Sequence, residues 1–352
     1  MENILQTIFE KVLQKRREIL QHRKCVLKTE SLLKSIESEN GKINPKFKKL
    51  SIEYAQDVFG NKYYAPWLNV YAAIAGQFKE GWIPENYFHA VIIPKTQGLY
   101  GKISFANSLS NRILNTTQLP ETVFFVNGLY FSPEWEVLCP DDVKNYIFKN
   151  RHKVVYKQDN SNCGRGVYIF TKETFDTEKI YKLGNGVFQN YIKQHPVFEE
   201  IIPCNVATIR ITSVIEQNGR ASCRAVFVRF GRKDETHCNW ATDIKVPADL
   251  KTGKLNGKGY EALNFKSTNC HPDSKVAFEG KIIPNFDECI KYVIKTHQSI
   301  PFCRVVGWDI AVNENDEIQL MEWNGYFNDI VFSEATQGPC FADMGWENLW
   351  KK

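Results

Sequence analysis

Two carboxylates and one amide stand near the end of the chain, at Asp309, Glu322 and Asn324. Glu322 and Asn324 are two residues apart, so a strand would project both side chains onto one face. The polar run 313–316 predicts a hairpin turn that brings Asp309 beside them. Carboxylate and amide oxygens suit Mg²⁺, which fills its other positions with water and substrate phosphates. The alternative is an ordinary hairpin with solvated acids.

A second group of residues has the chemistry for holding phosphates. Residues 153–157 predict a strand that ends at Lys157, and a polar loop follows at 158–166 before the next strand. Gly164 and Gly166 would allow backbone N–H groups to approach an anion closely. The Lys157 ammonium would act on phosphate oxygens as a point charge. The loop matches neither a Walker A nor a Rossmann pattern, and the alternative is a tight hairpin with a surface lysine.

Arginines occur on two predicted strands further along. In the strand pattern 205–214, Thr208 and Arg210 share one face. An arginine on a half-buried strand needs an anionic partner, and its planar fork suits a carboxylate or a phosphate. The neighbouring strand also ends in arginines, Arg229 and Arg232, for which a solvated strand end is the alternative.

Length and composition limit the kind of protein that carries these groups. The 352 residues are enough for about two or three domains, and 43% hydrophobic content excludes a disordered chain. The net charge of +5 comes without the dense basic stripe of a nucleic-acid binder, so no nucleic-acid partner is expected.

Cysteine usage and hydropathy indicate the cellular compartment. The ten cysteines are scattered and form no CxxC pair, which argues against a zinc ribbon and predicts a reducing, cytoplasmic setting. No stretch reaches the ~18 apolar residues of a membrane span. The first 20 residues mix charges into an amphipathic pattern and do not resemble a signal peptide.

Helical periodicity dominates the first part of the chain. Residues 1–38 predict a helix with one basic side, which is a solvated face or a docking surface for an anionic membrane or partner. A break follows at 39–45, and more helix is expected to about Phe78, interrupted at Pro66.

The pattern changes to mixed helix and strand after residue 79. We predict a short strand at 90–94, a helix at 109–114, a β-hairpin over 122–131 with Asn127-Gly128 as its turn, and a helix from Pro140. The C-terminal residues 325–352 predict a loop and a short helix.

The order of these motifs resembles the ATP-grasp superfamily. The order begins with a strand lysine, a glycine-rich loop and a hinge. It continues with a strand that carries an arginine, a strand that carries an aspartate, and Glu-x-Asn. More narrowly, the chain resembles sugar-transfer-associated ATP-grasp proteins of bacterial polysaccharide biosynthesis, relatives of α-L-glutamate ligases. The resemblance covers about residues 80–335. Its most specific motifs are 189–196, Asn205-x-x-Thr208-x-Arg210, Gly307-Trp308-Asp309 and Glu322-x-Asn324.

The resemblance implies an α+β fold in which two α+β subdomains sandwich ATP, with a helical N-terminal extension. The domain boundaries that we expect are a helical region at 1–78, an α/β N-terminal subdomain at 79–150, a small lid subdomain at 151–195, and a C-terminal subdomain with the metal site at 196–352.

The resemblance also implies a role for each site residue. Lys157 would contact the α- and β-phosphates and Arg210 the γ-phosphate, both as catalytic residues, while Asp309, Glu322 and Asn324 would hold Mg²⁺. Adenine would lie against a hinge formed by Gln189, Asn190, Tyr191 and Ile192. The loop that closes over the phosphates would contribute Asn160, Ser161, Gly164, Arg165 and Gly166. Substrate contacts would come from Asn205, Thr208, Arg229 and Asn239.

The implied chemistry is that of a carboxylate–amine ligase. ATP phosphorylates a carboxylate, and an amine displaces the phosphate to give an amide. We expect small-molecule substrates, a sugar acid or other carboxylate and an amino compound, in surface-polysaccharide or capsule assembly, with possible contacts to assembly proteins. The alternatives are a small-molecule kinase on the same fold, a non-catalytic nucleotide-binding regulator of a glycosyltransferase, and a carbohydrate-binding protein.

The sequence departs from the family pattern at 237–243. The asparagine of an Asp-Asn pair is kept as Asn239, but Cys238 replaces the aspartate and the following glycines are absent. This puts the identity of the acceptor in doubt. Cys238 as a nucleophile is the weaker alternative, because no activating base is evident beside it. We expect His195 to shape the hinge, and Trp308, Trp323 and Tyr326 to pack around the metal residues. Stacking of Trp323 or Tyr326 on a sugar or adenine is the alternative.

Overall fold

The computed structural model describes residues 2–161, 165–203 and 205–351, without the side chains of 2–15, 17–19 and 21. The chain divides into two compact units. Unit 1 comprises 1–95, 264–266 and 329–352, and unit 2 comprises 96–263 and 267–328. The four domain boundaries expected from the sequence remain a prediction.

Helices and strands alternate irregularly along the chain. The helices are α1 (Glu2–Asn40), α2 (Pro45–Phe59), α3 (Ala65–Ala75), α4 (Glu85–Tyr87), α5 (Ile93–Thr96), α6 (Ser110–Leu114), α7 (Pro140–Ile147), α8 (Thr177–Leu183), α9 (Pro196–Ile201), α10 (Phe286–Gln298) and α11 (Val331–Thr336). The strands are β1 (Glu121–Val126), β2 (Leu129–Phe131), β3 (Val137–Leu138), β4 (Lys153–Gln158), β5 (Val167–Thr171), β6 (Gly186–Asn190), β7 (Thr208–Ile215), β8 (Ala221–Phe230), β9 (Ile244–Pro247), β10 (Gly259–Glu261), β11 (Ser267–Thr268), β12 (Val305–Val312) and β13 (Ile318–Asn324).

Unit 1 is helical, as the sequence predicts for the N-terminal region. The Asn44 side chain caps α2 by accepting a hydrogen bond from the Lys46 N–H at 2.9 Å, and Gly60 ends the helix at φ 72°. The predicted interruption lies just before Pro66, which itself sits in the first turn of α3. Proline is tolerated there because the N–H that it lacks would have no helical partner. None of the described helices is long and apolar enough to span a bilayer.

The predicted strand at 90–94 is wrong. A π-helical turn, Phe88–Ile92, leads directly into α5, and Ile92 and Ile93 are both buried. A short apolar run is compatible with a buried strand or a buried helix, and its periodicity alone does not separate the two. In this case tertiary packing decides for helix.

Unit 2 contains two antiparallel sheets, which confirms the α+β class. Sheet 1 has the order β3-β2-β1-β6-β4-β5, and sheet 2 has the order β11-β10-β9-β8-β7-β12-β13. The predicted hairpin of β1 and β2 is present, with Asn127 and Gly128 at φ 51° and 84°. Both positive angles fit the two-residue turn that favours this residue pair.

Each sheet of unit 2 buries one face against helices. Sheet 1 packs Val154, Tyr156 and Phe188 in an apolar cluster that also contains Val143 of α7 and Ile180 of α8. The core of sheet 2 includes residues of α9 and α10 together with β7, β8 and β12. Polar side chains of the strands are therefore concentrated on the opposite faces, where the candidate site lies.

Candidate active site

Arg210, Asp309 and Glu322 form a row across three neighbouring strands of sheet 2. Arg210 on β7 is opposite Asp309 on β12, and Asp309 is opposite Glu322 on β13. Directly opposite residues of antiparallel strands point to the same face, so the three side chains converge. The hairpin that the sequence predicts is present, and it does place Asp309 beside Glu322.

Arg210 and Asp309 make a two-pronged ion pair. The distances are 2.5 Å from Nε to Oδ1 and 2.9 Å from Nη2 to Oδ2. Burial opposes both charges, but the attraction holds the pKa of Arg210 above and that of Asp309 below its ordinary value. In this arrangement Arg210 is engaged by a carboxylate, and Asp309 is both its partner and a predicted metal ligand.

Glu322 is the second carboxylate of the site, and it lies opposite Asp309 on the neighbouring strand. Burial, followed by the negative charge of Asp309, raises the pKa of Glu322. Lys157 and Arg210 oppose that shift without reversing it. A cation placed between the two carboxylates would relieve this repulsion.

The predicted metal residues fit a hard divalent cation. The Asn324 amide nitrogen lies 3.4 Å from Oδ2 of Asp309, so the third predicted ligand is beside the carboxylate row. Among the described residues, no group of three or more histidine, cysteine, aspartate and glutamate side chains is arranged to hold a metal ion. Two carboxylates and one amide are nevertheless a sufficient protein contribution for Mg²⁺, which usually keeps waters and takes phosphate oxygens.

Lys157 joins sheet 1 to this row. Its Nζ donates a hydrogen bond to the carbonyl oxygen of Met321 at 2.8 Å. Met321 is the extra residue of a β-bulge, because Asp309 is opposite Glu322 whereas Ile310 is opposite Leu320. A bulged residue lies outside the regular ladder, which leaves its carbonyl for another donor.

The electrostatic surroundings of Lys157 also connect it with the carboxylates. Burial lowers the pKa of Lys157, while the negative charges of Glu322, Asp309 and Glu121 oppose that shift. The predicted phosphate-binding lysine and the predicted metal residues are therefore within electrostatic reach of one another.

The loop after β4 is anchored through its backbone. The Asn160 N–H donates to the carbonyl oxygen of Phe105 at 2.7 Å, and the Ser161 hydroxyl donates to that of Gln158 at 2.6 Å. A Cβ on Gly166 would collide with the Ser161 side chain, so glycine is needed there. The side chain of Arg165 is exposed. Gly164, the other predicted glycine contact, lies outside the described residues.

The four predicted hinge residues follow one another at the end of β6. Gln189 is buried and is opposite both Val155 and Glu121. Asn190 accepts a hydrogen bond from Nε of Arg151 at 2.5 Å. The centre of the Tyr191 ring lies 3.3 Å from Nζ of Lys153, and Ile192 is half-buried. Their adenine contacts remain predictions.

Two of the four predicted substrate residues adjoin the row. Thr208 is opposite Arg229 on β8, one position along the face from Arg210. The Arg229 guanidinium contacts Asp243, with Nε 2.5 Å from Oδ2, and this carboxylate keeps the pKa of Arg229 high despite burial. Arg229 is thus not a solvated strand end.

The other two predicted substrate residues have local structural contacts. The Asn205 amide donates to the carbonyl oxygen of Arg232 at 2.9 Å, and Asn239 accepts from the Ala241 N–H at 3.1 Å. Arg232 itself pairs with Asp273 through two hydrogen bonds, of 2.9 and 2.6 Å. The structure does not bring Asn205 or Asn239 into hydrogen-bond contact with the carboxylate row.

Glu121 is a titratable neighbour of the site that the sequence analysis did not identify. It begins β1 opposite Gln189, and burial together with Asp159 raises its pKa to about 8, against the opposing charge of Lys157. Its Oε2 has no hydrogen-bond partner among the described residues. An acid immediately before the apolar run 122–126 was the available signal.

Cys238 is buried, and burial raises the pKa of its thiol to about 11. A thiol with that pKa is almost entirely protonated at neutral pH, which agrees with the sequence-based preference against a nucleophile. His195 accepts a hydrogen bond from the Val197 N–H at 3.2 Å and so caps α9, a structural role next to the predicted hinge residues.

Trp308 and Trp323 are both buried, and their rings lie 6.3 Å apart in a stacked arrangement. Trp308 donates to the Ser213 hydroxyl at 2.7 Å, and Trp323 donates to the Ser110 hydroxyl at 3.2 Å. The burial of both rings supports the expectation that they pack around the predicted metal residues, and for Trp323 it argues against the stacking alternative.

Two solved structures illustrate a distant resemblance. The biotin carboxylase domain of 2-oxoglutarate carboxylase from Hydrogenobacter thermophilus, in complex with MgADP and bicarbonate, is 11% identical, with a TM-score of 0.42 over 70% of this chain and 45% of that one. D-alanyl-alanine synthetase A from Vibrio cholerae is 12% identical, with a TM-score of 0.40 over 71% and 66% of the two chains. The chain thus spans about half the length of the first of these. No curated protein sequence matches it.

A family model gives the decisive comparison. The model described as "Sugar-transfer associated ATP-grasp" matches residues 140–342, which is more than half of the 352-residue chain. The matched region contains Lys157, Arg210, Asp309, Glu322 and Asn324, and the two antiparallel sheets agree with the expected α+β fold. The chain therefore belongs to the sugar-transfer associated ATP-grasp family.

Proposed function

We propose that the protein is an ATP-dependent carboxylate–amine ligase that acts through an acyl phosphate. One observation carries the proposal: the ammonium of Lys157, from sheet 1, meets the Arg210–Asp309–Glu322 row of sheet 2 at the Met321 carbonyl. Cationic and anionic groups on facing elements are the parts that phosphoryl transfer requires, because its catalysis consists largely of positioning and charge neutralisation.

Each charged group has a role in the first step. Lys157 binds the α- and β-phosphates, and Arg210 binds the γ-phosphate as it passes to the substrate carboxylate. The Arg210–Asp309 pair supports this assignment, since it holds the guanidinium in one orientation. The loop with Asn160, Ser161 and Gly166 covers the phosphates and excludes water, while Gln189 to Ile192 contact adenine.

Asp309, Glu322 and Asn324 would hold Mg²⁺. Bound there, the ion would neutralise charge on the phosphate oxygens. Burial is the first cause of the raised pKa of Glu322, and the negative charge of Asp309 is the second. That second cause supports this role, because a cation between the two carboxylates would relieve their repulsion. Lys157 supplies part of that positive charge from the protein itself.

The second step joins an amine to the activated carboxylate and releases phosphate. The family description supports a sugar-linked substrate, so the carboxylate is a sugar acid or a related compound, and the product belongs to surface-polysaccharide assembly in the cytoplasm. Thr208 and Arg229 lie one position along the strand face from Arg210, where they would contact substrate atoms. Contacts with polysaccharide-assembly proteins would follow from that role.

Product analysis with MgATP tests the proposal. The protein is incubated with a panel of uronic acids and amino compounds, singly and in pairs, and ADP and phosphate are measured. We expect equal amounts of ADP and phosphate only when a carboxylate and an amine are both present. ADP without free phosphate, formed with a single hydroxyl compound, would instead identify a kinase, and an absence of ATP binding would overturn the nucleotide site.

A further inference from the structure

Residues 97–109, called here the bracing segment, are fixed to the strands that carry the carboxylates. The Val305 N–H donates to Oε1 of Gln97 at 3.0 Å, and the other end of the Gln97 amide donates to the Gly325 carbonyl. The Gly325 N–H donates to the Ser104 hydroxyl at 3.1 Å. The segment is thereby tied to β12 and to the residue that follows β13.

The bracing segment is also fixed to the loop after β4. The carbonyl oxygen of Phe105 accepts from the Asn160 N–H at 2.7 Å. Ser108 donates to the Asp159 carboxylate twice, from its N–H at 2.9 Å and from its hydroxyl at 2.6 Å. Side chains on this segment are therefore held between the proposed phosphate loop and the proposed metal residues.

An aromatic cluster includes Phe105 and Lys102 of the bracing segment. Its other members are Tyr326 and Phe327. The ring of Phe105 is 5.9 Å from Tyr326 and 5.6 Å from Phe327, and the latter two rings are 4.9 Å apart. The Lys102 ammonium is 5.2 Å from the Tyr326 ring. Tyr326 and Phe327 come two and three residues after Asn324, so the cluster adjoins the predicted metal site.

The cluster presents an apolar surface and a positive charge to solvent. Phe327 is 56% exposed, and Lys102 is exposed as well. The described side chains place no carboxylate in an ion pair with Lys102, whose contact is the Tyr326 ring. A ligand that suits this surface has both an apolar face and an anionic group.

We propose that the aromatic cluster binds the ring of a sugar acid, the carboxylate substrate of the ligase. The C–H face of a pyranose carries slightly positive hydrogens, which match the negative face of an aromatic ring, and its carboxylate complements Lys102. The inference rests on the proposed function, since the ligase reaction gives the sugar acid its reason to bind beside the phosphate loop.

Saturation-transfer NMR with D-glucuronate as the probe tests this site on the full chain. We expect saturable binding by the wild type that is about tenfold weaker in Phe327→Ala, the factor for one lost contact of ordinary size. Lys102→Gln should remove the preference for D-glucuronate over D-glucose. The matched control is Tyr100→Ala, which removes a 68% exposed aromatic side chain that pairs with Phe302 instead of the cluster.

MgADP affinity, measured on the same samples, separates the inference from the proposed function. Unchanged MgADP binding with weakened D-glucuronate binding in Phe327→Ala supports the site. The sugar-acid site is overturned if the wild type does not bind D-glucuronate. It is also overturned if the wild type, Phe327→Ala and Phe327→Leu bind D-glucuronate equally. A wild type that binds D-glucuronate through Phe327 but fails to bind MgADP or MgATP leaves the sugar-acid site standing and overturns the ligase proposal.

Discussion

Arg210 and Asp309 are 99 residues apart in sequence and form a two-pronged ion pair between adjacent strands, at 2.5 and 2.9 Å. The side chains of both residues are about one-tenth exposed, at 11% and 8%. A charge pair with so little water around it costs much to break from one side, because the remaining charge is left uncompensated.

This pair predicts a non-additive response to substitution. Asp309→Asn and Arg210→Met should each lower the free energy of unfolding by about 3 kcal/mol. The double variant Arg210→Met/Asp309→Leu should lose much less than the sum, because neither charge remains. Urea unfolding of the wild type and the three variants measures the coupling. Additive losses would show that the two charges stabilise the fold independently.

Glu322→Gln should separate stability from metal dependence. The substitution removes the repulsion between Glu322 and Asp309, so the melting temperature should not fall, whereas Mg²⁺ should no longer strengthen ADP binding. Calorimetric titration with ADP, with and without Mg²⁺, gives the readout. Glu314→Gln, on the turn of the same hairpin and exposed, is the control and should keep the Mg²⁺ effect. An undiminished Mg²⁺ effect in Glu322→Gln would contradict the metal assignment.

Lys157→Met should lower the affinity for ATP at least about tenfold, because a charged hydrogen bond to phosphate is lost. The affinity for adenosine should not change. Competition binding with ATP and adenosine measures both affinities. Lys172→Met, an exposed lysine just after β5, should behave as the wild type. If ATP and adenosine weakened equally, Lys157 would have a packing role at the Met321 carbonyl.

Glu334 of unit 1 predicts a pH-dependent stability. Its carboxylate is buried and accepts hydrogen bonds from the N–H groups of Ile83 and Cys340, at 2.9 and 2.8 Å. Burial outweighs these bonds and raises its pKa from 4.5 to about 7. The folded state then holds the proton more tightly than the unfolded state. The contribution of Glu334 to the free energy of unfolding is therefore fully present below pH 4.5 and is lost as pH rises through 7. The loss amounts to about 3 kcal/mol.

Glu334→Gln isolates that contribution. The variant should be less stable than the wild type at pH 5, because the NH2 of its amide faces one of the two backbone N–H donors. The difference in stability between the two proteins should narrow by pH 8. Thermal unfolding at several pH values gives the difference, and Glu80→Gln, an exposed acid in unit 1, is the control. A stability difference that does not change with pH would mean that Glu334 does not titrate in this range.

One exposed and one buried cysteine predict selective alkylation. Cys139 is exposed, whereas Cys238 is buried with its thiol pKa raised to about 11. Iodoacetamide at pH 7.5 should modify Cys139 and leave Cys238 intact in the folded protein, as measured by peptide mass spectrometry. Cys238→Ala should retain MgADP binding. Faster labelling at Cys238 would identify an activated thiol.

The sequence by itself determined the local elements of the site. Alternation around Asp309 and Glu322 with a polar turn between them predicted the β12–β13 hairpin, and Asn127-Gly128 predicted the turn between β1 and β2. The order of lysine, arginine and carboxylate motifs indicated the ATP-grasp family, which the family model confirms. The hairpin, the turn and each single motif can be predicted from the sequence, because each depends on residues that are near one another in the chain.

Only the tertiary structure decided which groups meet. The β-bulge at Met321 turns a carbonyl toward Lys157, 164 residues away, and this contact has no signature in either segment alone. Packing likewise made the apolar run 90–94 helical, and it placed Glu121 beside Lys157. Periodicity records which face of an element is apolar, whereas the pairing of faces depends on contacts between elements that are far apart in sequence.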